Sequence, residues 1–142
     1  MRPFRPTSWR HSRMRILLDT QCWLWMVGAP ERLSSAGRAR LLAQENDLFL
    51  SAASAWEIAI KHALGKLRLP LEPARYVPDR LARTRTLELS VTHAHALRVG
   101  ELPPHHRDPF DRLLIAQAQV EDLSIMTADP HFSAYAVQVL EA

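Results

Sequence analysis

Apolar positions fall in short unbroken runs separated by longer amphipathic stretches. Residues 14–18 (MRILL) are one such run and end in Asp19, which reads as a strand buried on both faces with an acid at its carboxyl end. Residues 48–51 (LFLS) and 124–127 (SIMT) repeat the pattern, and 87–89 and 136–140 add two shorter candidates. Between them lie helical stretches. Residues 20–27 start a short helix that breaks at Gly28 and Pro30, and Ser34 or Ser35 caps a helix running to about Asn46. Residues 52–64 (AASAWEIAIKHAL) are alanine-rich and amphipathic, with Gly65 placed to stop them. Residues 74–85 form a basic helix in which Pro78 marks a first turn or a kink. Thr92 caps a helix over 92–99. Asp108 and Pro109 stand at the N-cap and first position of the clearest helix, apolar through Ala118 and Val120. Alternation of strands and helices predicts an α/β fold: a central parallel sheet of about four to five strands with helices on both faces.

Composition narrows the class without changing that picture. A chain of 142 residues, 47% hydrophobic and 23% charged, suits one globular domain. Its single cysteine, Cys22, excludes an internal disulfide and fits a reducing cytoplasm. No apolar run approaches the roughly 18 residues of a membrane span. The net charge of +3 is unevenly placed. Residues 1–13 hold Arg2, Arg5, Arg10 and Arg13 and no acid, so 14–142 is close to neutral. The basic leader is expected to be a disordered extension or sequence upstream of a start at Met14, with 14–142 as the folded domain. Within the domain, Lys61, Lys66, Arg68, Arg75, Arg80, Arg83 and Arg85 face only Glu72 and Asp79 across one stretch. Such a strip is either a solvated helical face or a surface for a polyanion.

The acids outside that strip carry the candidate chemistry. In open α/β sheets, ligands bind beyond the carboxyl ends of the strands. Asp19 and Asp129 follow predicted strands, Glu57 lies one turn into the helix after the second strand, and Asp111 lies in the first turn of the Asp108 helix. All four fall near one rim. Like charges gathered there repel unless cations neutralise them, and hard oxygen donors select Mg²⁺ or Mn²⁺. Each acid also has a plain structural use: Asp19 as a helix cap, Glu57 as the partner of Lys61 four residues on, Asp111 as a dipole partner, and Asp129 as a turn former before Pro130. Asp108 is adequately explained as an N-cap. His105 and His106 are expected in an exposed loop, with a catalytic or phosphate contact as the alternative, and Trp23, Trp25 and Trp56 in the core or an interface, with base stacking as the alternative.

The segments ILLDTQCWLW (16–25), SAASAWEIAIKHALGKLRL (51–69) and HRDPFDRLLIAQAQVEDLSIMTAD (106–129), with Phe132, resemble a PIN-domain ribonuclease, specifically a VapC-like toxin of a type II toxin-antitoxin pair. The resemblance covers 14–142. It implies that Asp19, Glu57, Asp111 and Asp129 are the catalytic, metal-binding acids and that Thr127 is a hydroxyl beside the metal. The activity implied is Mg²⁺- or Mn²⁺-dependent hydrolysis of RNA, with Lys61, Lys66 and Arg68 as candidate backbone contacts. The partners implied are an RNA substrate, a cognate antitoxin protein and a second copy in a homodimer. Gln21 departs from the family pattern, in which histidine commonly follows the Asp-Thr pair. Two other readings remain: a catalytically silent binding module, and an Asp-nucleophile phosphatase, for which Gln21 occupies the place of a required second aspartate.

Overall fold

The structure, a computed structural model, describes residues 13–142. The expected leader therefore lies, except for Arg13, outside the described residues. Five strands form one sheet: β1 (Arg15–Leu18), β2 (Asp47–Ser51), β3 (Leu87–Leu89), β4 (Ser124–Thr127) and β5 (Val139–Glu141). Their order is β3-β2-β1-β4-β5 and every neighbouring pair is parallel. The helices are α1 (Thr20–Gly28), α2 (Ser35–Leu42), α3 (Ala52–Ala63), α4 (Pro73–Thr84), α5 (His93–Val99) and α6 (Pro109–Glu121). Two 3₁₀ turns, Pro30–Arg32 and Pro130–Ala134, complete the chain.

Period-two alternation in the central strands explains the layering. Ile16 and Leu18 of β1 point into one core with Trp23, Leu50, Ile58 and Met126, whereas Leu17 points into the other with Ile115, Ile125 and Phe132. Both faces are thus covered, which is why residues 16–18 and 125–126 run apolar without alternating. β1 lies at the centre, paired with β2 on one side and β4 on the other. The chain builds outward from β1 through β2 to β3, then crosses back to add β4 and β5. This reversal creates a crevice at the carboxyl ends of β1 and β4.

Two departures from the predicted elements have local causes. The fifth strand starts at Val139, not residue 136, because Tyr135 turns its ring into the core and the Val137 amide closes back on the Tyr135 carbonyl at 2.9 Å. Pro78 sits well inside α4, which starts at Pro73. Pro73 takes the first helical position, where no amide donor is needed, and exposed Pro78 follows in the second turn.

One glycine marks a close approach that no larger residue fits. Gly37 in α2 is buried, and a Cβ there would lie 2.9 Å from the Ala142 carbonyl carbon and 3.0 Å from the Glu141 oxygen. The Ser34 amide donates to the Ala142 carbonyl at 2.8 Å, so the two segments are locked together. In an open helix, Gly→Ala stabilises by roughly 0.5–1 kcal/mol. Here the clash with backbone reverses the sign, and Gly37→Ala is expected to destabilise by about 1–2 kcal/mol, read as a lower urea midpoint at unchanged slope. An equal or higher midpoint would show that the β5 end gives way freely.

Candidate metal and phosphodiester site

The crevice gathers the predicted acids. Asp19, Glu57, Asp111 and Asp129, joined by Asp108, line one cleft of about 450 Å³ together with Lys61 and Lys66. A larger cleft of about 990 Å³ opens at the opposite, amino-terminal rim of the sheet between Arg13, Arg98 and Gln138, and holds none of these five acids. Donor chemistry, not volume, locates the site.

Each acid is fixed by the element that carries it. Asp19 ends β1 and caps α1: its Oδ1 accepts the Cys22 amide at 2.7 Å. Its Oδ2 accepts the Thr127 hydroxyl at 2.5 Å, and the Thr127 oxygen in turn accepts the Asp129 amide at 3.0 Å. Thr127 thus ties the first and last acids together across the β1/β4 junction. Ser51 caps α3, and the Thr20 hydroxyl donates to the Ser54 hydroxyl at 2.8 Å, holding α1 against α3. That contact sets Glu57, buried on the inner face of α3, beside Asp19. Glu57 meets Lys61 at 2.8 Å, so the expected helical pair forms at the cleft wall. Gly65, at φ 73°, ends α3: its amide reaches the His62 carbonyl and the Lys66 amide reaches that of Lys61. This is a Schellman closure, and it turns Lys66 into the cleft.

Asp108 caps α6 as expected, accepting from the Phe110 and Asp111 amides. Asp111 is half-buried. Desolvation first, and then the charge of Asp108 with smaller contributions from Asp19 and Glu57, push its carboxyl up to about 7, against the opposing pull of His106. Burial likewise raises Asp19, aided by Glu57 and Asp129 and opposed by its Thr127 and Cys22 bonds. Partial burial would raise Asp129 too, but bonds from the His131 amide, the His131 ring and the His106 ring outweigh it and hold that carboxyl below its ordinary range. Asp19 and Asp111, raised first by burial and further by neighbouring carboxylates, mark a spot short of positive charge, which fits a divalent cation bound by hard oxygens.

The basic strip divides in three dimensions. Lys61 and Lys66 line the cleft, whereas exposed Arg68 is not among its lining residues. Arg80 and Arg83 pair with Asp79, Arg80 also lying over the Tyr76 ring, and Arg85 lines a separate groove with Met26 and Leu33. The tryptophans separate as well. Trp23 is fully buried, Trp25 forms part of the cleft wall beneath Arg32, and Trp56 is 61% exposed with its edge against Phe110.

Sequence reasoning placed His106 by default in an exposed loop and missed His131. His105 is exposed as expected, but His106 is largely enclosed and reaches both Asp111 and Asp129. His131 Nδ1 lies 2.8 Å from Asp129 Oδ1. His106, Asp129 and His131 bring possible ligand atoms within 4.8 Å of one another. The available signal was the place of His106 two residues before an N-cap, and nothing local distinguishes that from an ordinary loop.

A parallel α/β domain with five carboxylates at the carboxyl rim of its central strands presents the hard oxygen donors that a divalent cation would take. A family model described as the PIN domain matches residues 16–138, and the chain belongs to that family. Over 50 residues it is 62% identical to Ribonuclease VapC16 of Mycobacterium tuberculosis (strain ATCC 25618 / H37Rv), a match covering 35% of this chain and 36% of that relative, so it spans about a third of the relative's length. The fold is similar to a crystal structure of VapBC2 from Rickettsia felis bound to a DNA fragment from their promoter (TM-score 0.69, 15% identity, 90% of this chain and 98% of that one). It is also similar to a toxin-antitoxin complex from Klebsiella pneumoniae (TM-score 0.60, 16% identity, 88% and 95% covered). Among the described residues, no helix is long and apolar enough to cross a membrane.

Proposed function

We propose that this chain is a divalent-metal-dependent endoribonuclease acting as the toxin of a toxin-antitoxin pair. The observation that carries the reading is the convergence of Asp19, Glu57, Asp111 and Asp129 in one cleft at the point where strand order reverses. The local match to a ribonuclease and the fold shared with toxin-antitoxin complexes support it.

Asp19, Asp111 and Asp129 would hold Mg²⁺ or Mn²⁺ directly, with Glu57 facing the same space. Bound there, a divalent cation lowers the pKa of a coordinated water and neutralises charge on the phosphate. Thr127 keeps the Asp19 carboxylate oriented by donating to Oδ2, leaving its proton off the acid. Lys61 balances Glu57, and Lys66 stands at the cleft wall to meet a neighbouring phosphate. Unpaired or looped RNA is the expected substrate, because its bases can be splayed against aromatic or guanidinium planes. For a homodimer, the exposed apolar face of α3 around Ala52, Trp56 and Ala59 offers the contact surface.

The test is incubation of the purified chain with unstructured RNA in the presence of Mn²⁺, with EDTA, and with Mn²⁺ restored. Cleavage that EDTA stops and Mn²⁺ recovers is expected. Cleavage persisting in EDTA overturns the metal-dependent reading, and hydrolysis of a small phosphate ester with intact RNA favours the phosphatase. Gln21, exposed at the cleft where that enzyme needs its second aspartate, argues for the nuclease.

A further inference from the structure

The environment of His106 is more constrained than a surface loop requires. Its amide donates to the Tyr135 hydroxyl at 2.7 Å, and its carbonyl accepts from the Arg112 guanidinium at 3.4 Å. Arg112 also binds the carbonyls of Val99, Leu102 and Pro103 and the Tyr135 hydroxyl, so one side chain from α6 staples the whole 99–106 segment. The imidazole lies edge-on to Phe132, which is fully buried. Backbone and ring are therefore both held.

The ring's two nitrogens do different things. Nδ1 accepts the Asp108 amide at 3.2 Å, which places a lone pair there and the ring hydrogen on Nε2. Nε2 lies 3.1 Å from Asp111 Oδ2 and 3.0 Å from Asp129 Oδ2. A metal-binding imidazole needs the opposite arrangement, a free lone pair on the ligating nitrogen and a hydrogen on the other. The Asp108 amide thus disfavours His106 as a ligand and makes it a donor shared by two carboxylates from separate elements, one in the first turn of α6 and one after β4.

We infer that His106 is a positioning residue: its Nε2–H bridges Asp111 and Asp129 and sets the spacing at which these two acids receive the metal. The inference rests on the nuclease reading of the cleft. Among the described residues, nothing else in the acid cluster joins the elements of Asp111 and Asp129 directly, since Thr127 links Asp129 to Asp19 and the Asp108 cap serves α6 alone. Without the bridge, two like charges would drift apart, and the cation would have to draw them together on binding. Partners that orient metal ligands are typically worth about 10- to 100-fold in metal affinity.

Two substitutions separate this role from simple packing. In His106→Gln the side-chain amide NH₂ falls where Nε2 stands, keeping the bridging donor but losing the acceptor for Asp108. In His106→Asn the side chain reaches only as far as Nδ1, keeping that acceptor and losing the bridge. Mn²⁺ affinity is measured by calorimetry on each purified variant, beside RNA cleavage and the melting temperature. His106→Asn is expected to bind Mn²⁺ about 10- to 100-fold more weakly while melting as a folded protein, and His106→Gln to stay within about threefold of the unmodified chain. Rescue by glutamine, which offers no imidazole, would also contradict a ligand role. Equal losses in both variants, tight binding by His106→Asn, or failure of both to fold would each overturn the bridge and make the histidine structural. Mn²⁺ binding by the unmodified chain without RNA cleavage would sink the nuclease reading and leave the bridge to be judged on affinities alone, whereas no Mn²⁺ binding at all would end both.

Discussion

Asp111→Asn is expected to lower RNA cleavage at least about 1,000-fold and, in the same protein without metal, to raise the melting temperature at pH 8. The first effect follows from removing a negatively charged oxygen donor where cation and phosphate meet, a loss of about 4 kcal/mol of transition-state stabilisation. The second follows from electrostatics. The Asp111 carboxyl sits at about 7 in the folded chain, chiefly through desolvation and the nearby charge of Asp108. Unfolded, it titrates near its ordinary value of about 3.9. The folded state therefore holds the proton more tightly, and the acid costs stability increasingly as pH rises from about 4 to 7, with the full cost present above 7. Asparagine never ionises and avoids that cost. Because the side chain is 22% exposed, solvent screening discounts the effect to about 1–2 kcal/mol, or a rise of about 3–6 °C at pH 8 that vanishes near pH 4. Scanning calorimetry at the two pH values checks it. A variant that loses activity and melts lower at pH 8 would mean that Asp111 supports the fold rather than straining it.

Mn²⁺ should stabilise the chain, and more at pH 8 than at pH 5. A ligand that binds only the folded state at 100 times its dissociation constant contributes about 2.7 kcal/mol, roughly 10 °C for a domain of this size. At pH 5 the raised carboxyls of Asp19 and Asp111 compete for protons, so the same metal concentration saturates less of the protein. Thermal melts with and without Mn²⁺ at both pH values measure the difference directly. A shift of equal size at pH 5 and pH 8 would place the cation away from these two acids.

The contrast between these acids and His106 shows what local sequence carries. Asp19, Glu57, Asp111 and Asp129 were legible because each sits at a fixed offset from a strand end or a helix start, and a parallel sheet delivers all such ends to one rim. The caps were legible for a similar reason: Ser34, Thr92, Asp108 and Gly65 act within three residues of themselves. His106 was not. Its partners lie five and 23 residues away, and its placement depends on Arg112 and Tyr135, whose bonds to the 99–106 segment only the folded chain brings together. The basic strip divides in a way that charge counted along the chain does not show, since Asp79 pairs with Arg80 and Arg83 on their own helix while Lys61 and Lys66 line the cleft. Gln21, which departs from the family pattern, is exposed and lines the cleft.

The position of β1 has a consequence for synthesis. Its strand is made early, yet one of its two neighbours is β4, and the Thr127 hydroxyl that orients Asp19 lies 108 residues further along the chain. A ribosome adding about 5–20 residues per second must run for several more seconds before that pairing exists. Until then Asp19 lacks Thr127, Asp129 and the cleft itself. An acid cluster built in this order is incomplete until β4 has been made, and a chain ending before Ser124 lacks both Thr127 and Asp129.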